Sequence, residues 1–83
     1  MAEIIMYSSP SCPYCVAAKK LLASLQLSYQ EIDISRDNAL REKMIELTGR
    51  RTVPQIIIDG KPIGGFDDLS ALHKAGQLQV LIK

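Results

Sequence analysis

The chain is short of the residues from which metal centres are usually built. Its 83 residues include two cysteines and one histidine. A zinc site takes about four ligands, so no self-contained metal site is expected. Charge of either sign is also scarce in excess: ten Lys and Arg stand against nine Asp and Glu, a formal net charge of +1. Such a balance gives no electrostatic case for nucleic acid or an anionic membrane as a partner. No apolar run comes near the ~20 residues of a membrane span. The opening, MAEIIMYSS, lacks the basic start and long apolar stretch of a secretory signal. Repeats, linkers and low-complexity segments are missing too. These absences lead to the expectation of one soluble domain over residues 1–83, monomeric and cytoplasmic. In a reducing compartment a permanent disulfide is disfavoured.

What is present suffices for a core, since 47% of the residues are hydrophobic, although so short a chain buries only a modest share of its surface. EIIMY (Glu3–Tyr7) is an apolar run fit for a buried central strand. Pro10 and Ser11 break it. From Pro13 the pattern turns helical, with Val16, Leu21, Leu22 and Leu25 near helical spacing. Ser28–Ile34 alternates, Ile32 and Ile34 on one face, and predicts a strand. The next helix has Asp37 as its N-cap, a stripe of Leu40, Met44 and Leu47, and Gly49 as its stop. QIIID and KPIG are strands joined at Asp59-Gly60, a strong hairpin signal. A third helix is predicted from an Asp67 N-cap to about Ala75, and QLQVLIK adds a terminal turn over the core. The order βαβαββα predicts an α/β domain: a four-stranded mixed sheet with helices on both faces, its first two strands parallel.

Both cysteines lie in PSCPYCVAAKK, at a strand-to-helix junction. With Cys12 as N-cap, Pro13 falls at N1, where its missing N–H costs nothing, and Cys15 at N3. A Cys12 thiolate would accept an N2 or N3 amide at the positive end of the helix dipole. That placement makes Cys12 the attacking sulfur in disulfide exchange, and Cys15, one turn in, the resolving one. A structural disulfide across two residues would close a tiny loop and constrain little. A cluster shared between two chains has no support here. A C-x-x-C beside a βαβ pattern reads as a thioredoxin-like redox motif.

Two further stretches carry chemistry. RRTVPQIII sets Pro54 just before a strand, either as an ordinary edge residue or as a cis-proline that turns the Val53 backbone toward a ligand. A ligand there would bind as a short extra strand along an open edge. IGGFDDL sets two glycines before a helix start, where a ligand can approach the backbone and helical amides can meet a carboxylate.

CPYC, TVP and GGFDDL, in this order and at these distances, resemble a dithiol glutaredoxin of the short bacterial type over nearly the whole chain. The resemblance implies the thioredoxin fold, a cis bond before Pro54, and glutathione as co-substrate with no tightly bound cofactor. It implies that the cysteinyl backbone of glutathione pairs with Val53. The γ-glutamyl carboxylate then meets the Asp67 amide with Thr52 or Gly65 nearby, and the amino group meets Asp68. Glutathionylated and disulfide-bearing proteins are the implied partners, with ribonucleotide reductase a family-level candidate. Tyr14 and Phe66 border the same site; Phe66, where several relatives carry a third cysteine, reads first as a packing residue. One departure stands out. Many members carry a lysine three residues before the first cysteine, and here that position is Ser9. Arg50, Arg51 or Lys19 can stand in for it, and Arg51 is counted among the glutathione-binding residues. A rival reading, an iron–sulfur cluster held between two chains, has Pro13 against it, because cluster binders of the family usually differ between the cysteines.

Overall fold

The computed structural model describes residues 3–82. Strand β1 (Ile4–Ser8) leads into helix α1 (Pro13–Ser24), strand β2 (Gln30–Asp33) and helix α2 (Asn38–Thr48). Strands β3 (Gln55–Ile58) and β4 (Lys61–Gly64) follow, then helices α3 (Phe66–Lys74) and α4 (Gln77–Leu81). The sheet order is β2-β1-β3-β4. β1 runs parallel to β2 and antiparallel to β3, and β3 is antiparallel to β4. Among the described residues no helix is long and apolar enough to cross a membrane.

Successive residues of a strand point to opposite faces, so the central strands feed two cores. Ile4, Met6, Ile56 and Ile58 face one side, where Ala18, Leu22, Leu69 and Leu78 cover them. Tyr7 and Ile57 face the other, against Ile34 and Met44. This is why EIIMY and QIII read as unbroken apolar runs: both strands are covered on both faces. Leu78 is fully buried, so the terminal helix covers the core as expected; Lys83, the end of the QLQVLIK stretch, lies outside the described residues.

Local signals set the element ends. Asp37 caps α2, its Oδ1 accepting from the amides of Ala39 (2.9 Å) and Leu40 (3.3 Å). Gly49 ends α2 in the left-handed region. Asp59 and Gly60 both have positive φ, 50° and 79°, as a two-residue hairpin turn of this hand requires. Pro62 sits on β4, an edge strand, where a missing N–H is tolerated.

Three expectations need correction. The buried stripe of α1 is Cys15, Ala18 and Leu22, while Val16 is exposed. In α2, Leu47 is exposed and Ile45 packs on the core instead. The N-cap of α3 is Gly65, not Asp67, and the helix starts at Phe66. Asp67 and Asp68 occupy the first turn, where carboxylates suit the helix dipole. The Asp68 Oδ2 reaches back and accepts from the Gly65 amide at 3.1 Å, half of a capping box; glycine has no side chain to complete the other half.

That reach needs Gly64. Its φ is +118°, and a Cβ there would lie 2.3 Å from Asp68 Oδ2. Gly64→Ala is therefore expected to cost about 1–3 kcal/mol from backbone strain, with the displaced cap added. Gly60→Ala is also strained, but nothing lies within 4 Å of its added carbon. A urea midpoint lowered no further by Gly64→Ala than by Gly60→Ala would show that the Asp68 contact contributes nothing. Asp37→Ala should lower stability by about 1 kcal/mol through loss of its cap, read in the same titrations.

Candidate active site

The turn after β1 delivers the cysteines. The Cys12 amide donates to Ser9 O at 3.2 Å, which closes the loop and leaves Cys12 extended at the head of α1 (φ −100°, ψ 112°). Pro13 is the first helical residue. The Cys15 amide then donates to Cys12 Sγ at 3.2 Å. On its other side, the Cys12 thiol donates to Val53 O at 3.4 Å. Both thiols are free.

The two sulfurs have different environments. Cys12 is partly exposed, whereas Cys15 is fully buried. Burial, and after it the hydrogen bond with Cys12, pushes the Cys15 thiol up to about 12. At neutral pH Cys15 is therefore protonated and inaccessible. The sulfur open to solvent is the one that receives a helical amide.

A cleft of about 300 Å³ opens beside Cys12. Tyr14 and Phe66 border it, their ring centroids 6.5 Å apart and tilted by 32°. Thr52, Val53 and Pro54 line its floor, with the Val53-Pro54 peptide cis. Gly65, Asp67 and Asp68 form the opposite wall at the start of α3. Arg50 closes the end, with Nη1 3.2 Å from Asp68 Oδ2. A larger groove, about 800 Å³, lies between β4, α3 and α4. Its lining is mostly aliphatic. Neither lining includes a thiol, but the smaller cleft is lined by Val53, whose carbonyl accepts from Cys12, so size alone does not mark the chemistry.

Every contact expected from the sequence lines the smaller cleft except Arg51. Arg51 is exposed, and Arg50 lines the cleft in its place. The turn around Gly49 decides between the neighbours. There the Arg50 amide donates to Thr48 Oγ1 at 3.1 Å, which fixes the Arg50 backbone with its side chain toward α3. Lys19 is committed elsewhere. It pairs with Glu31 on β2, and Glu31 also accepts from Ser8 Oγ at 2.6 Å. Those contacts, Lys19 first, hold the Glu31 carboxyl below its ordinary range. Val53 lies outside β3, which is itself paired on both sides. It precedes the first paired residue, Gln55, and its carbonyl already meets Cys12.

Gln55 was missed. It is 1% exposed and lines the cleft. Its Nε2 donates to Thr52 Oγ1 at 3.2 Å, while Oε1 has no partner among the described residues. The available signal was a polar residue opening an otherwise apolar strand directly after TVP. Among the described residues no group of three or more His, Cys, Asp or Glu side chains is placed to hold a metal.

The glutaredoxin family model matches residues 4–63. The chain is 51% identical over 83 residues to glutaredoxin 3 of Escherichia coli K12, covering all of both chains. It is 40% identical over 82 residues to a glutaredoxin of Pseudomonas aeruginosa, covering 99% of this chain and 98% of that one. The solution structure of glutaredoxin from Brucella melitensis superposes with a TM-score of 0.88 at 47% identity, over all of this chain and 90% of that one. The crystal structure of a buckwheat glutaredoxin–glutathione complex gives 0.89 at 33% identity, over 98% of this chain and 76% of that one. With its thioredoxin-like sheet and its paired cysteines at the head of α1, the chain belongs to the glutaredoxin family of glutathione-dependent thiol-disulfide oxidoreductases.

Proposed function

We propose that Cys12 attacks and Cys15 resolves, in a single domain that draws its electrons from glutathione. The observation that carries this division of labour is the contrast between the sulfurs: Cys12 partly exposed with an amide on it, Cys15 buried and protonated. On a protein–glutathione mixed disulfide, the Cys12 thiolate attacks the glutathione sulfur. A Cys12–glutathione disulfide forms, the protein–glutathione bond breaks, and the protein thiolate leaves and takes up a proton. A second glutathione thiolate then attacks the glutathione sulfur of that adduct. Glutathione disulfide leaves and the Cys12 thiolate returns to the Cys15 amide. On a protein disulfide, the Cys12 thiolate attacks one substrate sulfur; the substrate S–S bond breaks, its other sulfur leaves as a thiolate that takes up a proton, and a Cys12–substrate mixed disulfide forms. Cys15 attacks Cys12 Sγ, gives up its proton to the departing substrate thiolate, and leaves a Cys12–Cys15 disulfide for two glutathione molecules to reduce.

Glutathione carries two carboxylates and one ammonium, and the cleft has matching chemistry. The Val53 backbone is the pairing site for its cysteinyl unit. The first-turn amides of α3, with Thr52 and Gly65, suit the γ-glutamyl carboxylate, and Asp68 suits the ammonium. Arg50 is the lining cation that suits the glycine carboxylate, with Tyr14 and Phe66 shielding the sulfur from one side. Glutathione complexed to the buckwheat relative supports this reading. The partners are glutathionylated and disulfide-bearing proteins, ribonucleotide reductase among the candidates. The cycle consumes reduced glutathione, which fits work in a reducing compartment such as the cytoplasm.

Two single variants test the assignment in an assay coupled to glutathione reductase. Cys12→Ser should abolish turnover of both a glutathionylated peptide and a protein disulfide. Cys15→Ser should retain the first activity and lose most of the second; activity surviving in Cys12→Ser would sink the assignment. A second test concerns stability. The Cys15 thiol ionises near its ordinary 9 when unfolded and at about 12 when folded. As pH rises above 9 the unfolded chain sheds this proton first, so stability present below that pH is lost progressively up to about 12. The urea midpoint of the reduced protein should fall more between pH 8 and 10.5 than that of reduced Cys15→Ser. Parallel curves for the two proteins would refute the burial argument.

A further inference from the structure

Gln55 opens β3 and is paired with Tyr7 of β1, so its backbone is fixed within the sheet. Its side chain is 1% exposed and lines the cleft from beneath. Nε2 donates to Thr52 Oγ1 at 3.2 Å. Thr52 is the amide's one hydrogen-bond partner among the described residues, because Oε1 has none. The other three residues of β3 are isoleucines. A buried amide in such a strand is costly, and more so with half of it unpaired. The core therefore gives no reason for glutamine at this position, whereas Thr52 does. Thr52 is exposed and lines the cleft. Its hydroxyl has one proton to give and lone pairs that accept. The bond from Gln55 occupies a lone pair and leaves the proton unspent.

We propose that Gln55 is a positioning residue: by donating to Thr52 it keeps the Thr52 hydroxyl a donor toward the cleft, fitted to an anionic acceptor on the ligand. This role rests on the reading that Thr52 meets the γ-glutamyl carboxylate. An ionised carboxylate only accepts, so a hydroxyl beside it contributes only while its own proton is unspent. An acceptor in place of Nε2 would take that proton. Thr52 would then turn lone pairs toward the carboxylate, and an attractive contact would become a repulsive one. The direction of one buried amide thus sets which charge Thr52 favours, without Gln55 touching the ligand.

S-methylglutathione cannot form a disulfide, so its inhibition of peptide deglutathionylation reads binding alone. Thr52→Val removes the hydroxyl at nearly constant shape, and its effect is measured in two backgrounds. In the natural chain it should weaken inhibition about tenfold, the low end for a hydrogen bond to a charged group. The second background is Gln55→Glu, which keeps the side-chain size and, once ionised, only accepts. It is used at a pH where the carbon-13 shift shows the introduced carboxyl ionised. There Thr52→Val should weaken inhibition less than about twofold, since no donor remains to be lost. Comparison within each background cancels the repulsion between the introduced carboxylate and the ligand. A second measurement holds even where Gln55→Glu does not fold. In the natural chain a Gln55 side-chain amide proton should show a nuclear Overhauser contact to the Thr52 β-proton, and its resonance should move in Thr52→Val. Equal losses in the two backgrounds, or no such contact, would overturn the role of Gln55 while leaving Thr52 in the glutathione site. No loss from Thr52→Val in the natural chain would overturn the placement of Thr52, and the role of Gln55 with it.

Discussion

The hydrogen bond from the Cys15 amide to the Cys12 sulfur, 3.2 Å long, is the contact on which the site depends. It exists because α1 begins at Pro13, which makes Cys12 the N-cap. An N-cap side chain normally satisfies an otherwise orphaned helical amide with oxygen; here a sulfur does so. The same helical turn that supplies the amide carries Cys15 inward beneath the sheet-facing side of α1. One local decision, where the helix starts, therefore sets the position of both sulfurs and their inequality. The cores on the two faces of the sheet hold α1 and β1 in place, and the Ser9–Cys12 turn joins them over the cleft.

The opposite wall is built by a second helix start with different chemistry. The α3 N-cap is a glycine, so the cap depends on Asp68 reaching back to the Gly65 amide. Gly64 makes room for that carboxylate. The two glycines of IGGFDDL thus do separate jobs. Gly64 accommodates Asp68, and Gly65, extended at φ −88°, opens the backbone to the cleft with Pro54 O only 3.3 Å from where its Cβ would be. The acid that caps the helix also lines the cleft, beside Asp67, so replacing Asp68 changes the cleft and loosens α3 together.

How much of this was legible depends on the range of the forces involved. The element order, the parallel first pair, the Cys12 cap, the Asp37 cap and the Asp59-Gly60 turn all follow from residues within a few positions of one another, and the structure contains them. The failures involve contacts across the chain. Ala18 is in the buried stripe and Val16 is not because the angle at which α1 meets the core decides which residues are covered, which helical spacing does not reveal. Asp67 looked like an N-cap by residue type, but the bend at Gly64 moves the helix start to Phe66 and gives Asp68 the capping task. Arg50 and Arg51 are equal in charge and adjacent in sequence; only the turn after Gly49 separates them. Gln55 hid in an apolar run because its role, holding Thr52 from beneath, involves a segment whose shape the sequence does not specify.

The absent lysine at position 9 has a structural consequence. Of the nearby cations, Lys19 is taken by Glu31 and Arg50 by Asp68. Neither is paired with the Cys12 sulfur, whose partners are the Cys15 amide and the Val53 carbonyl. The amide at the head of α1 is the backbone dipole placed to meet negative charge on Cys12, whereas the Val53 carbonyl accepts only from the protonated thiol. Exposed side-chain charges are screened by salt over about 8–10 Å and lose rotamer freedom when they are fixed in one pose. A backbone amide at hydrogen-bond distance is screened far less and is already fixed by the helix. Placing the sulfur at a helix start gives Cys12 a fixed donor with no side-chain cation beside it, while the cation that lines the cleft, Arg50, is held on Asp68.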